Sequence, residues 1–403
     1  MLGHRSESVQ SYIQCMPQNL PAPTPEALTW AQRLVRIDTR SQLSNLALID
    51  CIADYLRSLQ VPIRLTYDDG RQKANLFATL GVGKPGGVVL SGHTDTVPWD
   101  GQAWTLDPLS ATVQGGRLYG RGSADMKGYI GLVVAQTQAW LEADLPFALH
   151  YAFSYDEEVG GFGAMRLIAD LRDAGIQPPL CIIGEPTQMV PAIAHKGVHR
   201  WRCCVRGKAA HSSLTPMAVN TVEAAARVVA HIADIALELR DTEPRQAGFD
   251  VPYSTAATCR FEGGIADNVV PEECRFNYEF RDLPGSDATV WQRRVEAYAA
   301  TLAPAMQAVE PSSGFAFEAF ASMPAFQARP DEPAVRLAQQ LSGSLQTTLV
   351  AFGTEAGLFQ RAGMSTVVCG PGSINQAHQA DEYVSLEQLA RCQAFLVSLG
   401  QAA

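Results

Sequence analysis

The sequence predicts an α/β fold in which helices flank a mixed sheet, with a smaller α+β domain inserted into it. From Thr24 to about residue 190, apolar strand-like runs alternate with helix-like stretches, which indicates a sheet covered by helices. Between about residues 195 and 324, half-exposed strands with period-two alternation replace that pattern. A chain of 403 residues also exceeds what one hydrophobic core usually organises, so two domains are expected.

The first part of the larger domain begins with a leader and a helix-start signal. Residues 1 to about 23 are polar and end in a proline-rich stretch, and we expect a loose leader there. Thr24, Pro25 and Glu26 then supply a capping hydroxyl, a first-turn proline and an early acid, which predict a helix. Further predicted helices are 47–59, 126–142 and 164–174, and the predicted strands are 74–79, 88–90, 150–154 and 180–183.

The inserted part has the order strand, helix, strand, strand, helix, strand, which predicts a ferredoxin-like α+β sandwich. Its predicted strands are 198–205, 256–261, 274–281 and 314–320, and its helices are 222–239 and 288–306. After Pro330 the α/β alternation resumes with helix 332–343, strand 366–369 and a final helix from about Ser385. The larger domain is therefore predicted to comprise residues 1–194 and 325–403, and the inserted domain residues 195–324.

Composition argues against several classes of function. The net charge of −10 argues against a nucleic-acid partner, because phosphate binding needs a basic surface. No stretch approaches the ~20 apolar residues of a membrane span, and the first residues lack the order of a secretory signal. Nine cysteines without a Cys-x-x-Cys pair indicate reduced thiols, so we expect a cytoplasmic protein. The glycine-rich stretches 81–87 and 160–163 do not match nucleotide-binding loops.

Histidine and acidic side chains stand where separate strands end, which predicts a metal centre. In open α/β sheets, ligands bind outside the carboxyl ends of the strands. Three carboxylates and two imidazoles suit a pair of divalent ions of the zinc or cobalt type. Four of the candidates follow predicted strands, and the fifth immediately precedes an apolar helix. They are His93, Glu158, Glu185, His378 and, before the helix, Asp125.

Two further acids, Asp95 and Glu157, complete the predicted centre. His93 and Asp95 are two residues apart, so in extended conformation Asp95 can accept the second N–H of the imidazole. The alternative is a turn aspartate that bonds its own backbone. Glu157 and Glu158 are consecutive, so their side chains diverge. Glu158 would bind metal, and Glu157 would accept a proton from water between the ions.

Six motifs carry a resemblance to a known family. They are 91–98, 120–128, 156–160, 184–187, 207–213 and 263–271. With them, the chain from about residue 27 onward resembles the di-zinc aminoacylase and carboxypeptidase metallohydrolases. The resemblance implies a phosphorylase/hydrolase-like catalytic domain, two Zn²⁺ or Co²⁺ ions, and a small N-acyl amino acid as substrate. Asp125 would bridge the ions, with His93 and Glu185 on one and Glu158 and His378 on the other. Glu157 would be the general base, and Asp95 would orient His93.

The resemblance also implies that the inserted domain is a dimerisation or lid domain. Its His211 would reach the partner subunit's active site in a homodimer and stabilise an oxyanion. The alternative is that His211 only caps the helix that follows. Asn268 and Arg281 match substrate-binding positions of the family, and a guanidinium suits the substrate's α-carboxylate.

Within the family, residues 353–356 and 370–383 resemble acetylornithine deacetylases more than desuccinylases. This implies hydrolysis of N2-acetyl-L-ornithine to L-ornithine and acetate in arginine biosynthesis, with glutathione as an accessory group by resemblance alone. Glu355 would pair with the substrate's side-chain ammonium, or it is a structural acid on a loop. Acetylcitrulline deacetylase, succinyl-diaminopimelate desuccinylase and glutamate carboxypeptidase types are alternatives. A non-catalytic binding protein is a further alternative, against which the full ligand set argues.

Overall fold

The computed structural model describes residues 22–401, so the predicted leader lies outside the described residues except for its last two positions. The helices are α1 (Pro25–Val35), α2 (Leu46–Ser58), α3 (Lys127–Ala135), α4 (Thr137–Ala143), α5 (Phe162–Asp173), α6 (Thr221–Thr242), α7 (Ala288–Gln307), α8 (Pro333–Ser342), α9 (Ala356–Arg361) and α10 (Leu386–Gln401). The strands are β1 (Ile63–Tyr67), β2 (Ala74–Leu80), β3 (Val88–His93), β4 (Thr112–Gln114), β5 (Arg117–Tyr119), β6 (Leu149–Ser154), β7 (Leu180–Pro186), β8 (Ala192–His195), β9 (Val198–Arg206), β10 (Ala210–His211), β11 (Thr255–Gly263), β12 (Val269–Val270), β13 (Glu273–Arg281), β14 (Gly314–Met323), β15 (Phe326–Gln327), β16 (Thr348–Val350), β17 (Ser365–Gly370) and β18 (Tyr383–Ser385). Within residues 22–401, no helix has the length and apolar character that a bilayer crossing requires.

A nine-stranded mixed sheet forms the centre of the larger part and confirms the predicted fold class. Its strand order is β1-β2-β6-β3-β7-β17-β8-β15, and β16 pairs with β8. Strand β3 runs parallel to both β6 and β7, and β17 runs parallel to β7. Because these four strands point the same way, their carboxyl ends meet at one edge of the sheet.

Within the large sheet, the strands that the sequence predicted are buried ones. Every residue of β3 and β6 is buried, as expected where helices cover both faces of a sheet. The half-exposed edge strand β1 was not predicted. Short strands such as β8, β12 and β16, of two to four residues, were also missed, because so few residues show no periodicity.

Helix α3 packs against β3 and β7 and is covered by α1 and α10. All of its residues from Lys127 to Val134 are buried, so it has no polar face. A Cβ atom added to Gly131 would lie 2.5 Å from the backbone of Ala31. Helices α1 and α3 therefore approach each other more closely than any side chain at position 131 would allow.

The prediction of one helix over 126–142 is wrong, because α3 and α4 are separate helices that meet at Gln136. The hydroxyl of Thr137 donates a hydrogen bond to the carbonyl oxygen of Val134 at 2.7 Å. The same hydroxyl lies 2.9 Å from the hydroxyl of Tyr151 in the sheet. A side-chain bond of this kind competes with the helix backbone, which accounts for the end of α3.

The segment 198–323 forms a second sheet with four antiparallel strands in the order β11-β13-β9-β14. Its main elements follow the order β9-α6-β11-β13-α7-β14, which is the predicted ferredoxin-like arrangement. Aromatic side chains fill the space between this sheet and its helices, among them Trp201, Phe276, Tyr278, Phe280 and Trp291. Before and after the segment, β8 and β15 pair with each other in the large sheet. The small sheet extends from Val198 to Met323, and the domain bounds 195 and 324 stay a prediction.

Candidate metal centre

Side chains from five segments meet at the edge where the central parallel strands end. His93 is the last residue of β3, and Glu185 lies near the end of β7. Glu158 follows β6, His378 follows β17, and Asp125 immediately precedes the junction with α3. The structure therefore brings together all five metal-ligand candidates that the sequence indicated.

Asp125 lies between the two histidines. Its Oδ1 is 2.8 Å from Nε2 of His93, and its Oδ2 is 3.1 Å from Nε2 of His378. On one side Oε1 of Glu185 is 3.5 Å from Nε2 of His93. On the other side Oε1 of Glu158 is 3.1 Å from Nε2 of His378. The five groups thus form two triads that share the carboxylate of Asp125, an arrangement that suits two neighbouring cations.

The donor set fits divalent cations. Burial, followed by the charge of Asp125, raises the pKa of both Glu158 and Glu185. Burial would also raise the pKa of Asp125, but hydrogen bonds with His378 and His93 outweigh it and lower that pKa. Buried carboxylates at this spacing need positive charge between them. Imidazole and carboxylate donors together are the ligands that zinc-type ions accept.

Glu157 faces the same space and forms no ion pair among the described residues. It is 5% exposed, and one of its carboxylate oxygens lies within 4.8 Å of ligand atoms of His93 and Glu185. Burial raises the pKa of Glu157 well above its ordinary value, and the charges of Glu158 and Glu355 add to the rise while His93 opposes it. A raised pKa makes this carboxylate a better proton acceptor than an ordinary glutamate.

Asp95 lies beside His93 as predicted, but its carboxylate has a different main role. Nδ1 of His93 donates to the backbone carbonyl of Asp95 at 3.0 Å, whereas the nearer carboxylate oxygen is 3.6 Å away. The carboxylate accepts from the amides of Glu157 and Glu158 at 3.1 and 3.3 Å, and from the Ser41 hydroxyl at 2.7 Å. Nδ1 of His93 thus lies closer to the carbonyl of Asp95 than to its carboxylate, and the predicted bond from the imidazole to that carboxylate stays a prediction.

Glu355 lies beneath the cluster at the start of α9 and is 1% exposed. The hydroxyl of Ser154, the last residue of β6, donates to its Oε1 at 2.5 Å. Burial raises the pKa of Glu355 to about 7. A contact between Glu355 and a substrate's ammonium stays a prediction, and it would require this side chain to become accessible.

His211 lies on the two-residue ribbon that β10 forms with β12, and Asn268 immediately precedes β12. His211 is exposed and precedes a 3₁₀ turn, Ser212–Met217, whose first free amide it caps: the Ser213 amide donates to its Nδ1 at 3.2 Å. The amide of Ser212 donates to the carbonyl of Asn268 at 3.0 Å. In this chain the structure therefore shows the capping role of His211, and its role at an active site stays a prediction.

Arg281 ends β13 in the small sheet. Its Nε donates to Oε1 of Glu279 at 2.9 Å. In the part of the chain that the structure describes, the hydrogen bonds and ion pairs of Arg281 do not reach the metal cluster. Its contact with a substrate carboxylate likewise stays a prediction.

Sequence reasoning assigned no role to Arg121 and Glu382, which form a buried ion pair beside Asp125. Nη1 of Arg121 lies 2.7 Å from Oε2 of Glu382. The two residues are 261 positions apart, so no sequence spacing could pair them. The available signals were that the two residues stand in the motif 120–128 and the stretch 370–383, and that Glu382 follows the ligand candidate His378 by four residues.

The sequence model of peptidase family M20/M25/M40 matches residues 89–402. The chain belongs to this family. The matched range runs from before His93 to beyond His378, so it includes all five ligand candidates. Membership confirms the resemblance seen in the motifs, and it makes this M20-family chain a metal-binding hydrolase.

Relatives of the M20-family chain include two proteins named acetylornithine deacetylase. The one from Proteus mirabilis is 35% identical over 350 residues, which are 87% of this chain and 88% of the relative. The one from Myxococcus xanthus is 35% identical over 370 residues, which are 90% of this chain and 93% of the relative. The sequence similarity therefore extends over most of this chain and most of each relative.

Solved structures of low sequence identity share the M20 fold. A metallo-carboxypeptidase of the family from Sulfolobus solfataricus is 16% identical with a TM-score of 0.72, covering 92% of this chain and 98% of its own. A dinuclear metal binding peptidase of the family from Bacillus subtilis is 14% identical with a TM-score of 0.60, covering 93% of this chain and 96% of its own. These identities show the fold alone.

Proposed function

We propose that this M20-family chain converts N2-acetyl-L-ornithine and water to L-ornithine and acetate in arginine biosynthesis. The observation that carries the proposal is that the Asp125 carboxylate contacts both His93 and His378. Glu185 lies beside His93 and Glu158 beside His378, with Glu157 close to His93 and Glu185. Support for the substrate comes from the two relatives named acetylornithine deacetylase, each 35% identical to this chain. A cytoplasmic location belongs to the proposal, because the eight cysteines that the structure describes are free thiols.

Two divalent ions of the zinc or cobalt type would be held at this centre. His93, Glu185 and one oxygen of Asp125 would hold the first, and His378, Glu158 and the other oxygen of Asp125 the second. When bound, the ions would polarise the acyl carbonyl and make a water molecule more acidic. The chain itself keeps the donors in place, since the Asp95 carbonyl fixes the ring of His93 at 3.0 Å.

Glu157 would carry the proton. Its backbone amide is fixed to Asp95, and its carboxylate is buried next to the ligand atoms of His93 and Glu185. It would take a proton from the attacking water and give it to the departing α-amine nitrogen. The amide C–N bond breaks and the new C–O bond remains, so the products are acetate and a free amine.

A homodimer through the inserted domain is the second part of the proposal. His211 is exposed, and within residues 22–401 the hydrogen bonds of its side chain are made with Ser213, so the ring would be able to act on the partner subunit's site. There it would donate a hydrogen bond to the oxyanion. Asn268 accepts from the amide of Ser212, the residue after His211, and it would contact the same substrate. Arg281 would bind the α-carboxylate of the substrate through its planar guanidinium.

A substrate panel tests the proposal. The purified protein is stripped with a chelator, reloaded with Zn²⁺ or Co²⁺, and assayed with and without glutathione. The panel contains N2-acetyl-L-ornithine, N2-acetyl-L-citrulline, succinyl-diaminopimelate and a neutral N-acetyl amino acid, with release of the free amine as the readout. We expect the highest kcat/KM with N2-acetyl-L-ornithine and loss of turnover without metal. If another member of the panel has a higher kcat/KM, that compound would replace N2-acetyl-L-ornithine as the proposed substrate. If the protein binds two metal equivalents and hydrolyses none of the compounds, the proposed enzymatic activity is refuted.

A further inference from the structure

The carboxylate of Glu382 is enclosed next to the loop that carries Asp125. The side chain is 0% exposed. Its Oε1 accepts from the amides of Gly122 and Ala124, both at 3.0 Å, and from the amide of Asp125 at 3.2 Å. One oxygen atom therefore fixes three peptide groups of this loop. Because one of them belongs to Asp125 itself, Glu382 sets the direction in which the Asp125 side chain leaves the backbone.

The second oxygen of Glu382 is connected to His378. Oε2 accepts from Nη1 of Arg121 at 2.7 Å, and Nη2 of Arg121 donates to Oε1 of Gln102 at 2.5 Å. Nε2 of Gln102 then donates to the backbone carbonyl of His378 at 2.9 Å. His378 has a φ of 60°, a left-handed conformation that a non-glycine residue keeps only when its surroundings hold it. The series of bonds supplies that support.

The two branches meet in one buried carboxylate, and its burial is compensated. Arg121 provides the opposite charge, and the ring of Trp104 covers the guanidinium with its centroid 5.1 Å from the central carbon. A buried carboxylate without such a partner would be costly. The Arg121 ion pair therefore keeps the Glu382 carboxylate charged where it bonds to the loop of Asp125 and, through Arg121 and Gln102, to the segment of His378.

We propose that Glu382 is a positioning residue of the metal centre, which holds Asp125 and His378 at the spacing that lets them share an ion. The inference rests on the metal centre proposed above. Glu382 acts through main-chain groups and through Arg121, and it needs no contact with metal or substrate. Partners of this kind, which orient ligands from behind, typically change metal affinity by about 10- to 100-fold when they are removed.

The variant Glu382→Gln tests the proposal, because it removes the charge and presents an amide nitrogen to Arg121. The metal-free protein is titrated with Zn²⁺ by calorimetry, and the Co²⁺-loaded protein is studied by visible absorption. We expect dissociation constants about 10- to 100-fold higher than in the wild type and a changed cobalt spectrum. The matched control is Glu387→Gln, whose side chain is 56% exposed and paired with Arg391 at 2.6 Å. The control is expected to bind both metals as the wild type does.

The proposal is overturned if folded Glu382→Gln protein keeps the wild-type zinc affinity and cobalt spectrum, or if Glu387→Gln weakens binding equally. A purely structural role would lower the thermal midpoint of the metal-free protein and leave both metal readouts unchanged. If Glu382→Gln does not fold, the variant Gln102→Ala is used instead. It removes the bond to the carbonyl of His378 and keeps the ion pair between Arg121 and Glu382. Unchanged zinc affinity in that variant also overturns the proposal. A wild-type protein that fails to bind two metal equivalents would instead refute the metal centre itself.

Discussion

The backbone amide of Glu157 donates a hydrogen bond to the carboxylate of Asp95 across 3.1 Å. The other oxygen of that carboxylate accepts from the next amide along the chain, so one acid ties the turn after β6 to the loop after β3. Both bonds are made by main-chain groups, yet they set the positions of two neighbouring carboxylates. The geometry of the proposed proton acceptor therefore depends on a residue two positions beyond a metal ligand.

Replacing Asp95 with alanine should disturb that turn. Two buried amides would lose their acceptor, which should lower the free energy of unfolding by about 2–3 kcal/mol. We also expect a loss of about 10- to 100-fold in kcat/KM, because Glu157 and Glu158 would no longer be held in place. Ser41→Ala is the control, since it removes one bond to the same carboxylate and leaves both amide bonds intact. Equal losses in the two variants would show that the turn contacts are unimportant.

Glu157 and Glu158 should respond differently to the same substitution. Glu157→Gln should bind two equivalents of metal and lose about 10²- to 10⁴-fold in kcat, the usual contribution of a general base. Glu158→Gln should lose one equivalent of metal at limiting concentration, because its Oε1 lies in a ligand triad 3.1 Å from Nε2 of His378. Metal analysis and steady-state kinetics on both proteins separate the roles. Near-wild-type turnover in Glu157→Gln would refute its function as the base.

Glu355 should make the metal-free protein less stable as pH rises. Burial raises its pKa from 4.5 to about 7. Between these values the folded state keeps a proton that the unfolded state releases, so the free energy of unfolding falls from about pH 4.5 to about pH 7 and then levels off. The loss is at most about 3 kcal/mol. Glu355→Gln cannot ionise, so its stability relative to the wild type should increase between pH 5 and pH 8, as measured by urea unfolding.

The control for this experiment is Glu387→Gln, whose exposed side chain should leave the pH dependence of the wild type unchanged. Parallel stability curves for Glu355→Gln and the wild type would contradict the assigned cause. The same variant tests the predicted contact with a substrate ammonium. If its selectivity for N2-acetyl-L-ornithine over neutral acyl amino acids is unchanged, Glu355 has no part in recognising the cation.

Complementation should reveal whether His211 acts in the partner subunit's site. Glu157→Ala and His211→Ala should each be nearly inactive alone. If each site uses His211 of the partner subunit, a mixed dimer has one complete site, and random assembly of equal amounts should restore about a quarter of the wild-type activity. Co-expression with two different affinity tags would isolate the mixed dimer for the assay. Mixed dimers that remain inactive would exclude this arrangement.

Much of the site could be predicted because its residues follow long apolar strands. The runs that became β3, β6, β7 and β17 are buried throughout or nearly so, and a short continuous apolar run is one of the patterns that predict a strand. Parallel strands place their carboxyl ends together, so the convergence of His93, Glu158, Glu185 and His378 follows from the topology.

The features that were not predicted depend on which atoms meet in the folded chain, and a sequence does not give those contacts. Nδ1 of His93 lies 3.0 Å from the carbonyl of Asp95 and 3.6 Å from its carboxylate, which also accepts from the turn after β6. Arg121 and Glu382 are 261 positions apart in the chain, so only the folded structure brings them together. At the break between α3 and α4, the hydroxyl of Thr137 bonds the carbonyl of Val134. The sequence does not tell which partner a threonine hydroxyl selects.

The contact between Gly131 and Ala31 makes the metal centre sensitive to a position that offers it no donor. Any larger residue at 131 must wedge α1 and α3 apart, because the backbone of Ala31 occupies the space that a Cβ would need. Helix α3 begins two residues after Asp125, so a displacement of α3 is expected to move the Asp125 carboxylate as well. A substitution at a position where two helices meet, far from any donor atom, is therefore expected to alter how the candidate centre holds a metal.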